Sequence, residues 1–196
     1  MNTIFQREEI DSHVYSLTHY FDTKECYPIV EAASTEYWKS APKSDGKENY
    51  VFGPDATFRS LGTMLLNGKF DCGFTVLEID GKPWAFGGIR RFDDETTLIL
   101  GRHFSFFTVK PITLGLLLPL HLSVSKQLGY KKAWITINDY NIHLRRAYQI
   151  NEFNRRKASK RLNKLYTNSD QCISVCRDIG KMTIYKTEQS VLEWIL

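Results

Sequence analysis

The sequence predicts an α/β protein, a single domain whose central mixed sheet carries helices on both faces. Three observations lead there. Between Gly73 and Val109, short β-branched and aromatic runs are separated by turn residues, which reads as an antiparallel meander. From Val109 to Tyr148 the pattern changes to strand, apolar helix, strand, helix, a crossover that sets two strands parallel. With 42% apolar and 13% aromatic residues over 196 positions, the chain can bury one sizeable core, and disorder is not the default.

Each element has its own signal. Residues 1–70 read as a helical N-terminal part, with amphipathic helices over Glu8–Tyr20 and Thr23–Trp38. Thr23 is placed to cap the second, and Glu25 falls in its first turn. Ala41–Asn49 is a polar loop, and Thr57–Asn67 a short helix ended by Gly68. Gly73–Ile79 and Trp84–Phe92 are strands joined by Asp80-Gly81, a two-residue hairpin turn, and Gly87-Gly88 marks a bulge or a close backbone approach. After a turn at Asp93–Glu95, Thr97–Val109 is a long strand that Pro111 ends.

The helix that closes at Gly129 contains Pro119. In a helix interior proline removes one backbone bond, at about 3 kcal/mol, so two readings stay open. Either the helix is bent, or it starts at Pro119 and Ile112–Leu118 is a loop. Ala133–Asn138 is the next strand, followed by a helix from Asn141 to Tyr148 and a basic helical continuation to Lys164. Lys181–Tyr185 and Ser190–Leu196 close the chain as a hairpin with Thr187–Gln189 as its loop.

The segment from Val109 to Tyr148 resembles the cofactor-binding core of the GNAT superfamily of N-acetyltransferases. In that family a glycine often ends the helix after the fourth strand, an asparagine follows twelve positions later and a tyrosine seven beyond that. Gly129, Asn141 and Tyr148 keep both intervals. The family's pyrophosphate loop, Arg/Gln-x-x-Gly-x-Gly/Ala, appears here only as Ile112–Leu116, without the Arg/Gln and without a second glycine. Gly115–Pro119 with Thr136–Asn141 is also similar to acetyltransferase-like proteins encoded by tailed phages of marine bacteria.

The resemblance implies the acyl-CoA N-acyltransferase fold, with residues 73–153 as the acyl-CoA-binding core and 154–196 as a basic helix and C-terminal hairpin. It implies acetyl-CoA as co-substrate and direct transfer of its acetyl group to an amine. Phe107 and Val109 would pair with the pantetheine, Thr113 would cap the following helix, and Gly115 would let a phosphate approach the backbone. Asn141 would fix the start of the next helix. Tyr148, a phenol with a pKa of about 10, would protonate the departing thiolate. His103 stands six residues before Val109 on the same side of the strand, where an imidazole of pKa about 6.5 can take a proton from the amine. Glu78 and Asp139 are alternative bases without a motif. Because the pyrophosphate loop is degenerate, a non-catalytic binding or regulatory module on the same fold is the competing reading.

Other chemistry finds less support. Cys172 and Cys176 lack a second ligand pair nearby, so no metal site is expected, and four scattered cysteines without a secretory signal fit a reduced, cytoplasmic setting. The apolar run Leu114–Leu122 is broken by Pro119 and His121 and is too short to span a membrane. Twenty-six Lys and Arg against 22 Asp and Glu leave only +4, although Arg145–Lys164 concentrates the positive charge. That stretch offers a surface to an acidic partner, RNA included. Without aromatic interleaving or an RNA-binding fingerprint, nucleic acid ranks below a small-molecule or protein amine as partner. The sequence leaves the oligomeric state open.

Overall fold

The computed structural model describes residues 3–10, 12–40, 62–100, 111–137, 177–184 and 187–196. Within them, eight strands form one sheet: β1 (Ile4–Ile10), β2 (His13–Tyr20), β3 (Phe74–Ile79), β4 (Lys82–Arg91), β5 (Thr96–Leu100), β6 (Lys132–Ile137), β7 (Arg177–Ile184) and β8 (Thr187–Ile195). Their order is β1-β2-β3-β4-β5-β6-β8-β7. All neighbours are antiparallel except β5 and β6, which run parallel with Ile99 opposite Ile135. Helix α1 (Thr23–Ser40) covers one face, and α2 (Pro111–Gln127) covers the other.

The alternation of side chains across the strands sorts the core into two layers. Tyr15, Leu17, Leu77, Ile79, Ala85 and Ile89 meet Leu116, Leu117, Leu120 and Val124 of α2. On the other face Phe74, Val76 and Phe86 meet Cys26 and Val30 of α1, with Leu65 and Phe70 alongside. Each such side chain, fully buried, contributes about 1.5–3 kcal/mol. The mixed sheet with helices on both faces is therefore the expected architecture.

The first expected helix is not there. Glu8–Tyr20 divides between β1 and β2, which form a hairpin with Ile10 opposite His13. The reason lies in the spacing. Tyr15, Leu17 and His19 alternate inward with period two, and Ser12 takes a φ of 68° at the turn. An N-terminal part helical throughout is thereby corrected, while the second expected helix stands as α1. Asp22 caps it, its Oδ1 accepting from the Lys24 N–H at 3.0 Å, one residue before the expected Thr23.

The meander is as read. Asp80 and Gly81 both have positive φ, 52° and 75°, the pair of values a tight hairpin turn requires. At Gly88 the expected close approach is present, with the Phe70 ring against the backbone. The irregularity in register falls elsewhere, between Leu77 and Glu78, where Trp84 is the extra residue. Of the expected short helix Thr57–Asn67, residues 62–66 are helical among those described, followed by Gly68 at φ 61°.

Two further expectations change. Of the two readings of the proline-containing helix, the one that continues through Pro119 stands: α2 runs from Pro111 to Gln127, so neither a start at Pro119 nor a loop over Ile112–Leu118 holds. Proline at a first helical position loses nothing, because that N–H has no intrahelical partner. At the other end Gly129 adopts φ 89°, its N–H donates to Lys126 O at 2.9 Å and the Tyr130 N–H to Ser125 O at 3.1 Å, a Schellman cap. The expected loop Thr187–Gln189 belongs to β8, since Thr187 already pairs with Ile184. The part of the expected strand Thr97–Val109 beyond Leu100, the helix Asn141–Tyr148, the basic stretch and Cys172 and Cys176 lie outside the described residues.

Candidate functional site

The parallel pair organises the candidate site. A chain that leaves β5 and returns as parallel β6 must cross over through α2, which therefore runs against both strands. The start of α2 lies at the end where β5 and β6 finish, the end at which open α/β sheets hold ligands. Among the described residues the β5–β6 ladder runs only from Thr96 opposite Lys132 to Ile99 opposite Ile135. Each strand stays paired on its outer side further along: Leu100 with Gly88, Thr136 with Val191 and Ile137 with Ser190. Beyond Leu100 and Ile137 both strands pass outside the described residues.

The α2 N-terminus lies at that end. Its first turn carries no acidic side chain, whereas α1 has Glu25 in its first turn and Asp22 at its cap. The N–H groups of Ile112, Thr113 and Leu114 have no intrahelical acceptor, as at any helix start, and together with the dipole they favour an anion. Thr113 is not the N-cap that the sequence suggested, because it is the third residue of α2. Gly115 lies within the helix too, so the segment Ile112–Leu116 is helical rather than a glycine-rich turn. His103, Phe107, Val109, Asn141 and Tyr148 lie outside the described residues.

Beneath α2 lies a buried polar chain that sequence reasoning did not assemble. His19, Thr75 and His121 are fully buried. His19 Nε2 is 3.1 Å from Cys72 O, His19 Nδ1 is 2.8 Å from Thr75 Oγ1, and Thr75 Oγ1 is 2.9 Å from His121 Nε2. A carbonyl only accepts, so His19 Nε2 carries its proton. Burial holds that imidazole down at about 4, against a slight upward pull from the Cys72 carbonyl, so near neutral pH the ring is neutral and Nδ1 accepts from Thr75. The one hydroxyl proton of Thr75 is thereby committed, and His121 Nε2–H donates to Thr75. Thr97 adds a second buried tie, its hydroxyl donating to Ser125 Oγ at 2.8 Å. The signal was in the sequence: His121 interrupts a leucine run, and Ser125 follows it by one helical turn.

Among the described residues no group of His, Cys, Asp and Glu could hold a metal ion, and no helix is long and apolar enough to cross a membrane. Cys26 and Cys72 are free thiols, and burial pushes them up to about 12 and about 11, which keeps them protonated and unreactive.

No protein-family model matches the chain, and no curated protein matches its sequence. Solved structures do match its fold. A GNAT-family acetyltransferase from Bacillus anthracis superposes with a TM-score of 0.52 at 12% identity, over 98% of this chain and 98% of that one. The ribosomal-protein-S5-alanine acetyltransferase from Vibrio fischeri gives 0.53 at 10% identity, over 97% and 96%. The ribosomal L7/L12 α-N-protein acetyltransferase, solved with coenzyme A, gives 0.52 at 9% identity, over 97% and 98%. The chain has the fold of the GNAT acetyltransferases.

Proposed function

We propose that this protein binds an acyl-CoA, specifically acetyl-CoA, where β5 and β6 finish, and transfers the acetyl group to an amine. The observation that carries the reading is a single parallel pair, β5 and β6, in an otherwise antiparallel sheet of eight described strands, with the crossover helix starting at the end where both strands finish and carrying no acidic residue in its first turn. An extended pantetheine can pair with strand backbone at that end, and a pyrophosphate suits the N–H groups of Ile112–Leu114. Thr113 and Gly115 sit in that part of α2, and Phe107, Val109 and Asn141 complete the cofactor residues on this reading.

In the reaction, the amine lone pair attacks the thioester carbonyl, the carbon–sulfur bond breaks, and the amide forms. His103 takes the ammonium proton before attack, Tyr148 gives its proton to the departing thiolate, and the proton that the nitrogen sheds on becoming an amide restores the phenol. Two of the fold relatives are named as acetyltransferases of ribosomal proteins, and another as an aminoglycoside N-acetyltransferase. A small-molecule or protein amine is therefore the acceptor class. A specific observation favours the second reading, a non-catalytic acyl-CoA-fold module. The residues that match the pyrophosphate loop are helical, so the cradle has no glycine-rich turn.

Calorimetric titration with acetyl-CoA separates the two. Binding in the micromolar range, with release of free thiol when amines are supplied, is the expected result. No heat and no thermal stabilisation at millimolar acetyl-CoA would refute the enzyme, because a ligand bound only by the folded state must raise its melting temperature.

A further inference from the structure

Helix α2 is apolar on nearly every side. Leu116, Leu117, Leu120, Leu122 and Val124 are buried, and Leu118 and Pro119 are half-buried. It lies across two core clusters, one with β2, β3 and β4 and one with β5, β6 and β8. Apolar attraction has no direction, and a helix greasy all round can roll or slide on such a surface with little change in buried area. Moving by one residue turns a helix by about 100° and shifts it by about 1.5 Å. Its rotation must be fixed by something other than leucine.

Two polar side chains do this. His121 and Ser125 are one turn apart on the same face, both fully buried, and both bonded to the sheet. His121 reaches Thr75 on β3 at 2.9 Å, and Ser125 meets Thr97 on β5 at 2.8 Å. One tie would leave the helix free to pivot. Two ties to different strands fix both rotation and position along the axis. The anchor Thr75 is itself held, its hydroxyl 2.8 Å from His19 Nδ1.

We propose that His121 and Ser125 are positioning residues, register pins that aim the α2 N-terminus at the end of the sheet where β5 and β6 finish. The functional half of this inference rests on the acyl-CoA reading. Buried hydrogen bonds add little net stability over apolar packing of the same shape, so their value here is a single arrangement of the helix rather than a tighter fold. A displacement of an ångström at the N–H groups of Ile112–Leu114 is enough to spoil anion binding.

The test is the variant His121→Leu with Ser125→Ala, chosen because Thr75 keeps its bond to His19 and Thr97, released from Ser125, can turn its hydroxyl to the Lys132 carbonyl 3.4 Å away. Amide NMR of the ligand-free variant is expected to show doubled or broadened α2 signals at near wild-type melting temperature. Calorimetry with coenzyme A should show at least tenfold weaker binding. His121→Gln, whose amide can still donate, should restore single signals and affinity. A folded double variant with single α2 signals at wild-type positions and unchanged coenzyme A affinity would overturn the proposal. If the double variant does not fold, Ser125→Ala alone is read by the same two criteria. Should the wild-type protein bind no coenzyme A, the acyl-CoA reading falls, and the α2 signals alone decide whether the pins are real.

Discussion

The Thr75 hydroxyl donates to His19 Nδ1 across 2.8 Å in a fully buried position, which commits His19 to its neutral form. Protonating His19 would put a second donor where Thr75 already points its hydrogen. Burial lowers the folded-state pKa to about 4 from 6.5. Between those values the unfolded chain holds a proton that the folded chain does not. The stability from this site is complete above about pH 6.5 and is lost as pH falls toward 4, by about 3 kcal/mol at most. Exposed carboxylates also titrate in acid, so the comparison is between wild type and His19→Gln. Their difference in melting temperature should shrink between pH 7 and pH 4.5. A difference independent of pH would show that His19 is not held neutral.

Gly88 is a second point where the fold leaves no choice. A Cβ there would stand 2.1 Å from the Phe70 ring, which is buried and packed 5.0 Å from Phe74, centroid to centroid. The ring cannot swing aside. Gly88→Ala should therefore destabilise the protein by about 2–4 kcal/mol, and Phe70→Leu in the same chain should recover part of the loss. Additive destabilisation of the two substitutions, measured by urea unfolding, would contradict the contact.

What was legible in the sequence follows from which forces are local. Asp80-Gly81, Gly129 and the Gly87-Gly88 pair announce themselves because their backbone or contact requirements belong to one or two residues. The parallel pair was legible because a crossover of this length admits few alternatives. The N-terminal hairpin was misread, since polar residues on both strands gave a pattern that short-range counting assigns to a helix. Only the β2–β3 pairing, with Leu17 opposite Leu77, makes Tyr15, Leu17 and His19 inward-facing. The buried relay was illegible for a related reason. His19, Thr75 and His121 are 56 and 46 residues apart, and no spacing rule joins them.

Helix α2 tolerates Pro119 inside it, and this too is testable. Proline supplies no N–H to the Gly115 carbonyl one turn earlier, and Ala in a helix interior is about 3 kcal/mol more favourable. Pro119 is half-buried, so part of that gain is offset by lost packing. Pro119→Ala should raise the unfolding free energy by about 1–2 kcal/mol, seen as a melting temperature higher by roughly 2–8 °C. A lower melting temperature would mean that the helix is bent to fit the sheet and that a straight α2 packs worse.

The proposed chemistry gives the last prediction. Tyr148→Phe deletes one hydroxyl and keeps the ring, so it separates proton donation from packing. If the phenol protonates the thiolate, turnover should fall about 10²-fold or more, while the dissociation constant of acetyl-CoA stays within about threefold. The deficit should also be smaller with an acyl donor whose leaving thiol is more acidic, because such a thiolate departs without needing the proton. His103→Gln should behave differently, with its loss diminishing as pH rises and the amine deprotonates in solution. Equal turnover for Tyr148→Phe and wild type would remove the tyrosine from the mechanism. A loss unaffected by leaving-group acidity would assign it to positioning instead.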